Sequence, residues 1–460
     1  MSNLVDYLEE VSMRRQFFTA FAGLVSFLMI GAMTADAAEI TFGGRLRPRY
    51  EYWNVGPDSQ FVNMLTRLQA TAKIDDNTSA FIQLQANNRF GSQQFQGMSG
   101  GGLLISPASF PADPSDHTAD VGIHQAYFTL NKLFGAPVDL QFGRQEVVLD
   151  GHRLFGNTVW TQGMQSHDAI RLTHSHDNMT LMYVFSKAAE NAFRGDAGDF
   201  VGGSINDNDD IDVHVGWANF KGLLGENSST SVYAVLSDTD CTLVNACVGS
   251  ADFYTFGARQ AGGIGNLSYR GEFYYQTGKS GLAAPAGGSG DVDAFMLGAR
   301  VGYKAANVSM KPSVTLFYDH LSGTSSSDVA AGDTGAFNVL FDTGHKFYGL
   351  MDFYLTPAQF ARGLHDVAVK FSVQPLANTT VKMDLHHFAE TSNNGTTPAG
   401  VSPGARTLGQ EIDVTLVHKY SANTKMSVGY SHFFMRNAQG ARLGTTEDAD
   451  WLYVMFDVSF

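Results

Sequence analysis

The 460-residue sequence contains few charged residues and almost no long apolar stretch. Asp, Glu, Lys and Arg make up 16% of the chain, whereas about a quarter is usual for globular proteins. Only residues 17–33 form an apolar run whose length is close to that of a membrane-spanning helix, and several such runs would be needed for a helical membrane bundle. Aromatic residues nevertheless reach 12%. Low charge with many aromatic residues is typical of transmembrane β-barrels, in which apolar residues alternate with polar ones.

The one apolar run is organised like a secretory signal. Two arginines precede it, and Ala35 and Ala37 follow it with the spacing of a cleavage site. We therefore expect residues 1–37 to be a signal peptide and the mature chain to begin at Ala38. The first twelve residues carry three acids, which is unusual for such a signal, so Met13 is an alternative start.

Cysteine is almost absent, with Cys241 and Cys247 as its two occurrences. A secreted chain matures in an oxidising compartment, and both residues lie in one predicted loop, so we expect a disulfide between them. The covalent ring would be too small to stabilise the whole chain greatly. No Cys-x-x-Cys-His haem attachment site is present. We expect no cofactor and no metal site.

The charge balance and the motifs also argue against nucleic-acid binding and catalysis. Loss of residues 1–37 would remove four acids and two bases and change the formal net charge from −15 to −13. Such an acidic chain is not expected to bind nucleic acid. No Gly-x-Ser-x-Gly nucleophile elbow is present, and the Ser, His and Asp residues are too scattered to nominate a triad. We expect no enzymatic activity.

Strict alternation of apolar and polar residues runs through the mature chain. In the last ten residues, the apolar side chains of Leu452, Val454, Phe456 and Val458 and the terminal Phe460 share one face. This segment resembles the C-terminal strand of bacterial outer-membrane barrels. Counting alternating segments predicts about 18 strands. Residues 344–353 are a doubtful nineteenth, which we assign to a loop because barrel closure favours an even number.

The predicted connections alternate between short and long. Short turns fall near residues 75–78, 175–178, 305–307, 376–378 and 421–423, and long polar stretches near 91–120, 188–209, 238–251, 278–291, 322–343, 390–408 and 437–448. Outer-membrane barrels have short periplasmic turns and long extracellular loops. We therefore predict an all-β fold, a single transmembrane antiparallel β-barrel over residues 38–460. A soluble β-sandwich is the alternative, and the signal peptide disfavours it.

Polar residues of the predicted strands should face the lumen, because the apolar face must contact lipid. These inward positions include many arginines: Arg45, Arg47, Arg49, Arg67, Arg89, Arg171 and Arg270. Arginine is always charged and its planar fork suits carboxylates, so such a ladder favours the passage of anions. Acidic residues share the inward face, mainly in the C-terminal half: Glu51, Glu272, Asp319, Asp384, Asp413 and Asp457.

One block interrupts the alternation. Residues 142–156 read Phe-Gly-Arg-Gln-Glu-Val-Val-Leu-Asp-Gly-His-Arg-Leu-Phe-Gly, and residues 166–172 read Ser-His-Asp-Ala-Ile-Arg-Leu, with Trp160 between them. This block resembles the alginate-export family of outer-membrane β-barrel porins, as does Gly-His-Lys-Phe-Tyr-Gly-Leu-Met-Asp at residues 344–352. With the strand pattern, the resemblance covers residues 40–460.

The resemblance implies a porin whose lumen is constricted by loops and lined by arginines. Arg144, Arg153, Glu146 and Asp168 would then lie near the constriction, with Arg171. The alternative is that these charges are structural struts across the barrel interior.

The expected function is that of a bacterial outer-membrane channel for diffusion or export of anionic solutes or oligosaccharides. The alternatives are a non-selective general porin, an outer-membrane barrel enzyme, and a sheath for a periplasmic electron-transfer protein. The expected partners are outer-membrane lipid, the barrel assembly machinery and an anionic solute or polysaccharide.

Overall fold

The computed structural model describes residues 38–55, 58–90, 121–189, 211–239, 252–280, 290–355, 361–392, 406–436, 439 and 447–460. The predicted signal peptide and disulfide lie outside these residues.

Eighteen strands form one sheet that closes on itself. They are β1 Glu39–Asn54, β2 Asp58–Lys73, β3 Thr78–Arg89, β4 Gly122–Leu130, β5 Asp139–Gln145, β6 His167–His176, β7 Met179–Ala189, β8 Ile211–Lys221, β9 Ser228–Thr239, β10 Phe253–Ile264, β11 Leu267–Lys279, β12 Asp291–Lys304, β13 Ser313–Leu321, β14 Leu364–Leu376, β15 Thr379–Ala389, β16 Thr407–Lys419, β17 Thr424–Met435 and β18 Ala449–Ser459. The predicted antiparallel barrel and its strand number are confirmed.

Closure brings the first and last strands together. β1 pairs antiparallel with β2 on one side and with β18 on the other, so that Trp53 is opposite Trp451 and Arg49 is opposite Met455. No edge is left open, because each strand has two neighbours. Within the described residues, no helix is both long and apolar enough to cross a membrane.

The two faces of the wall have different environments, as the alternation predicts. On β12, Phe295 and Leu297 are 39% and 44% exposed on the outer face, whereas Ala294 and Met296 between them are fully buried. Short turns join the strands at one end. At the β2–β3 turn, the Asp75 carboxylate accepts hydrogen bonds from the backbone N–H groups of Asn77 and Thr78. Two backbone donors of the turn thus find their acceptor within the turn itself.

Two connections from the other end fold into the barrel. The first inner loop, residues 146–166, joins β5 to β6, and the second inner loop, described over residues 322–355 and 361–363, lies between β13 and β14. The second loop contains helix α1 (Ser326–Ala331) and a 3₁₀ turn at Gly344–Lys346, so residues 344–353 belong to a loop as predicted. The apolar side chains of the two inner loops are buried inside the barrel; they include Leu154, Phe155, Phe337, Val339 and Phe347.

Candidate functional site

The first inner loop is fixed to the wall by arginines of β1. Arg47 donates from Nη1 to the carbonyl of Val159 at 2.5 Å and from Nε to Gln162 Oε1 at 2.9 Å. Arg49 donates to the carbonyl of Trp160 at 2.7 Å, and its Cζ lies 4.1 Å from the centroid of that ring. Both arginines are buried. They therefore position the loop and are not free charges in water.

The start of the same loop is held through Glu146. Its carboxylate lies 2.8 Å from His124 Nε2 and 3.6 Å from Arg67 Nη1, and it accepts a hydrogen bond from Asn157 Nδ2 at 2.6 Å. Burial opposes its ionisation, but the hydrogen bonds from His124 and Asn157 and the charge of Arg67 hold the pKa of Glu146 below its ordinary value. Glu146 therefore stays ionised as an anchor.

Arg153 joins the two inner loops to the opposite wall. It donates to Asp319 Oδ2 at 2.6 Å, to Glu272 Oε1 at 3.1 Å and to the Tyr348 hydroxyl at 2.8 Å. Its Cζ lies 3.7 Å from the Phe347 ring centroid. These groups are almost completely buried, and buried charges are tolerated only when paired in this way.

Cations next to this network face the remaining lumen. The side chains of Arg259, Arg270 and Arg300 are 13%, 14% and 17% exposed, and Lys346 of the second loop is exposed. The acids beside them are hidden, since Asp150, Glu272 and Asp319 are 7%, 1% and 0% exposed. Nε of Arg259, Arg270 and Arg300 has no hydrogen-bond partner among the described residues.

Lys346 is affected by these neighbours. Partial removal of water, followed by the charges of Arg270, Arg153 and Arg259, lowers the pKa of Lys346. A cavity of about 530 Å³ is lined by Arg259 and Lys221, by Asp150, and by residues of the β8–β9 turn that include the exposed Glu226. Arg259 thus borders open space, with charges of both signs around it.

The acidic sector of the wall is covered. Glu411 on β16 accepts hydrogen bonds from the backbone N–H groups of Leu350 and Met351 at 2.6 and 2.9 Å. The loop approaches so closely that a Cβ on Gly349 would lie 2.5 Å from Glu411 Oε2, and Gly349 has φ +83°. Asp366, buried on β14, pairs with His386 at 2.8 Å. The second loop therefore covers Glu411, and Asp366 is buried beside His386.

The structure places seven of the predicted pore residues on the inner face: Arg45, Arg47, Arg49, Arg67, Arg89, Arg171 and Arg270. Arg45 pairs with Asp457 through two hydrogen bonds of 2.7 Å. Arg89 lies 4.3 Å from the Phe61 ring centroid, and Arg171 donates to Gln141. Glu146 and Arg153 lie on the first inner loop.

The prediction that Arg144 and Asp168 lie near the constriction is wrong. They are paired across β5 and β6, next to the pair of Phe142 and Ile170. Residues opposite each other on antiparallel strands share a face, and Phe142 is 47% exposed on the outside. Arg144 and Asp168 therefore bond to each other on the outer wall, at 2.6 Å. The prediction placed both residues near the constriction because of the motif resemblance. Counting alternate positions from the outward Phe142 would have placed Arg144, and Asp168 opposite it, on the outer face.

Arg259, Arg300 and Lys346 were not predicted. The two arginines have the inward parity of their strands, so alternation alone could have identified them. Lys346 lies in the 344–352 motif, but its proximity to Arg270 depends on how the second loop folds.

Solved structures with the same fold have low sequence identity to the chain, and one of them is an outer-membrane protein. OpdK of Pseudomonas aeruginosa is 9% identical with a TM-score of 0.57, covering 92% of this chain and 98% of that one. OprE of the same organism is 10% identical with a TM-score of 0.56 and coverages of 92% and 98%. OccAB1 of Acinetobacter baumannii is 12% identical with a TM-score of 0.55 and coverages of 92% and 96%.

Among curated protein sequences, none matches the chain significantly. The family model described as alginate export matches residues 38–452, which is almost the whole barrel. With an apolar outer wall, a charged lumen and this match, the chain belongs to the alginate-export family and is a channel of the bacterial outer membrane.

Proposed function

We propose that the channel passes anionic solutes or oligosaccharides. One observation carries the proposal: Arg259, Arg270, Arg300 and Lys346 lie beside the inner loops with partly or fully accessible side chains, while the acids paired with the three arginines, Asp150, Glu272 and Asp319, are more deeply buried. The chain as a whole is acidic, but a permeating solute interacts mainly with the charges it can approach.

The narrow part of the lumen is where these cations have the greatest effect. Salt screens charges over about 10 Å at ~0.1 M, so a charge in a wide vestibule acts weakly on a solute passing at a distance. The inner loops bring solutes within reach of the guanidinium groups. A guanidinium group suits the oxygen atoms of a carboxylate, since charge-assisted hydrogen bonds of this kind are strong and directional.

The filled lumen favours a solute channel over the alternatives. A sheath for an electron-transfer protein would need an open interior, whereas both inner loops are packed inside this barrel. The family and the related solved structures are transport proteins, which supports a channel without catalysis. A general porin without selectivity remains the alternative that experiment must separate.

The test is a double substitution, Lys346→Gln with Arg259→Gln. Asp150 would keep its hydrogen bonds from Trp217 and Tyr233, so the fold should survive. We expect the anion-to-cation permeability ratio to fall severalfold, because two positive charges leave the narrow region. Reversal potentials of reconstituted channels in a KCl gradient measure this ratio.

Arg144→Gln is the control, since it removes one positive charge from the outer wall and none from the lumen. It should leave the reversal potential at the wild-type value. If the double variant forms a folded channel with wild-type selectivity, the anion proposal fails and the general porin is the better description.

The predictions outside the described residues stay predictions. We propose that residues 1–37 are removed after Ala37, that Cys241 and Cys247 form a disulfide, and that the barrel assembly machinery inserts the chain. A periplasmic partner would have to be identified separately.

A further inference from the structure

The two inner loops form a common structure inside the barrel. Phe155 and Phe341 form a parallel β-bridge. The N–H of Gly156 donates to the carbonyl of Phe341 at 2.8 Å, and the N–H of Phe341 donates to the carbonyl of Leu154 at 2.9 Å. We call the two joined loops the partition.

Apart from Arg153, which joins both loops to β11 and β13, each loop has attachments of its own to the wall. The first is held by Arg47 and Arg49 of β1. The second is held by Glu411 of β16 and by Gln276 of β11, which exchanges hydrogen bonds of 2.8 Å with the backbone of Asn338. The wall alone therefore does not determine how the loops meet.

A second contact between the loops lies away from the bridge. Trp160 of the first loop stacks on His345 of the second, with ring centroids 4.2 Å apart and planes 5° apart. Each partner is fixed from behind: Arg49 contacts Trp160, and Asp352 Oδ1 lies 2.8 Å from His345 Nδ1. Trp160 also packs edge-on against Tyr453 of β18, with centroids 4.8 Å apart.

We propose that Trp160 sets the size limit of the channel by locking the two loops together through His345. The bridge at Phe155, the hydrogen bond from the Thr343 N–H to the His152 carbonyl and the bond from Arg153 to Tyr348 hold the loops together elsewhere, and the stack at Trp160 is a separate attachment beside β1 and β18. Without the stack, the His345 side chain can move away from the first loop while these attachments remain. A wider passage opens beside β1 and β18. This role rests on the chain being a channel and is independent of its anion preference.

Trp160→Ala tests the proposal by removing the stacked ring. We expect wide openings to become about tenfold more frequent, since an aromatic stack with a cation contact stabilises a conformation by about that factor. Larger neutral saccharides should then enter. Single-channel conductance and the exclusion limit for a size series of neutral saccharides measure these effects, and uncharged probes are insensitive to the selectivity proposed above.

The variants are chosen so that a change in folding cannot imitate the result. His345→Ala should reproduce the effect from the other loop, and the double variant should add little, because both remove one contact. Trp160→Phe keeps a ring and should restore most of the wild-type limit. Phe128→Ala is the control. Phe128 stacks on Phe142 with ring centroids 5.6 Å apart on the outer face of the wall, so its loss should leave the exclusion limit unchanged.

The proposal is overturned if folded Trp160→Ala and His345→Ala channels both keep the wild-type conductance and exclusion limit. It is also overturned if Phe128→Ala enlarges the exclusion limit as much as Trp160→Ala does. If the Trp160 and His345 variants keep the wild-type exclusion limit, the proposed anion preference is unaffected, because it depends on Arg259 and Lys346.

Discussion

Arg153→Met is expected to release the partition from the wall formed by β11 and β13. The substitution removes the cation between Glu272 and Asp319, which are 1% and 0% exposed. Removing one partner of a buried ion pair typically costs about 3–5 kcal/mol, and here the more distant Arg270 and Arg300, 3.6 and 3.7 Å from Glu272 and Asp319, would compensate the two carboxylates only in part. The inner loops should therefore become accessible to protease at temperatures at which the barrel itself remains folded.

Limited proteolysis and thermal unfolding of the purified barrel measure this effect. A triple variant with Glu272→Gln and Asp319→Asn should recover much of the lost stability, because the uncompensated charges are then absent. Arg406→Met is the control, since exposed Arg406 donates only a 3.3 Å hydrogen bond to the carbonyl of Thr391. Equal protease resistance of the Arg153 and Arg406 variants would show that the buried cluster does not hold the partition.

Deletion of Phe460 is expected to reduce the yield of folded barrel by roughly tenfold or more, since two hydrogen bonds worth about 1 kcal/mol each are lost. The N–H of Gly44 donates to the carbonyl of Phe460 at 2.8 Å, and the N–H of Phe460 donates to the carbonyl of Gly44 at 3.0 Å. These bonds complete the pairing of β1 with β18, and unpaired backbone groups are costly at a membrane. The heat-modifiable form on gel electrophoresis reports the folded fraction.

Ser459→Ala is the matched control for the deletion, because it changes the neighbouring side chain and keeps the whole backbone. The barrel should then form at the wild-type level. Similar yields for the deletion and for Ser459→Ala would mean that closure does not depend on the last residue.

The barrel could be predicted from the sequence because each strand encodes its own two environments. In residues 451–460, alternation alone distinguishes the buried Trp451 and Tyr453 from the outward Leu452 and Phe456. The short turns are equally local, as Asp75 shows by bonding to the next residues of its own turn. Neither feature requires knowledge of distant parts of the chain.

The partition could not be predicted in detail because its contacts join distant segments. Arg153 and Asp319 are 166 residues apart in sequence, and no local pattern shows that Trp160 will stack on His345. Likewise, the position of a charged residue on the inner face of a strand does not show whether its side chain is accessible to solvent. Arg47 is inward and buried under the first loop, whereas Arg259 is inward and borders a cavity.

Block of the wild-type channel by a charged oligosaccharide tests the central claim most directly. Single channels in a planar bilayer would be exposed to an oligouronate and to a neutral oligosaccharide of the same length. The accessible cations near Lys346 predict transient current blocks by the oligouronate at concentrations at which the neutral compound has no effect, and loss of this difference in the Lys346→Gln Arg259→Gln variant. Equal blocking by both oligosaccharides in the wild type would contradict an anionic substrate.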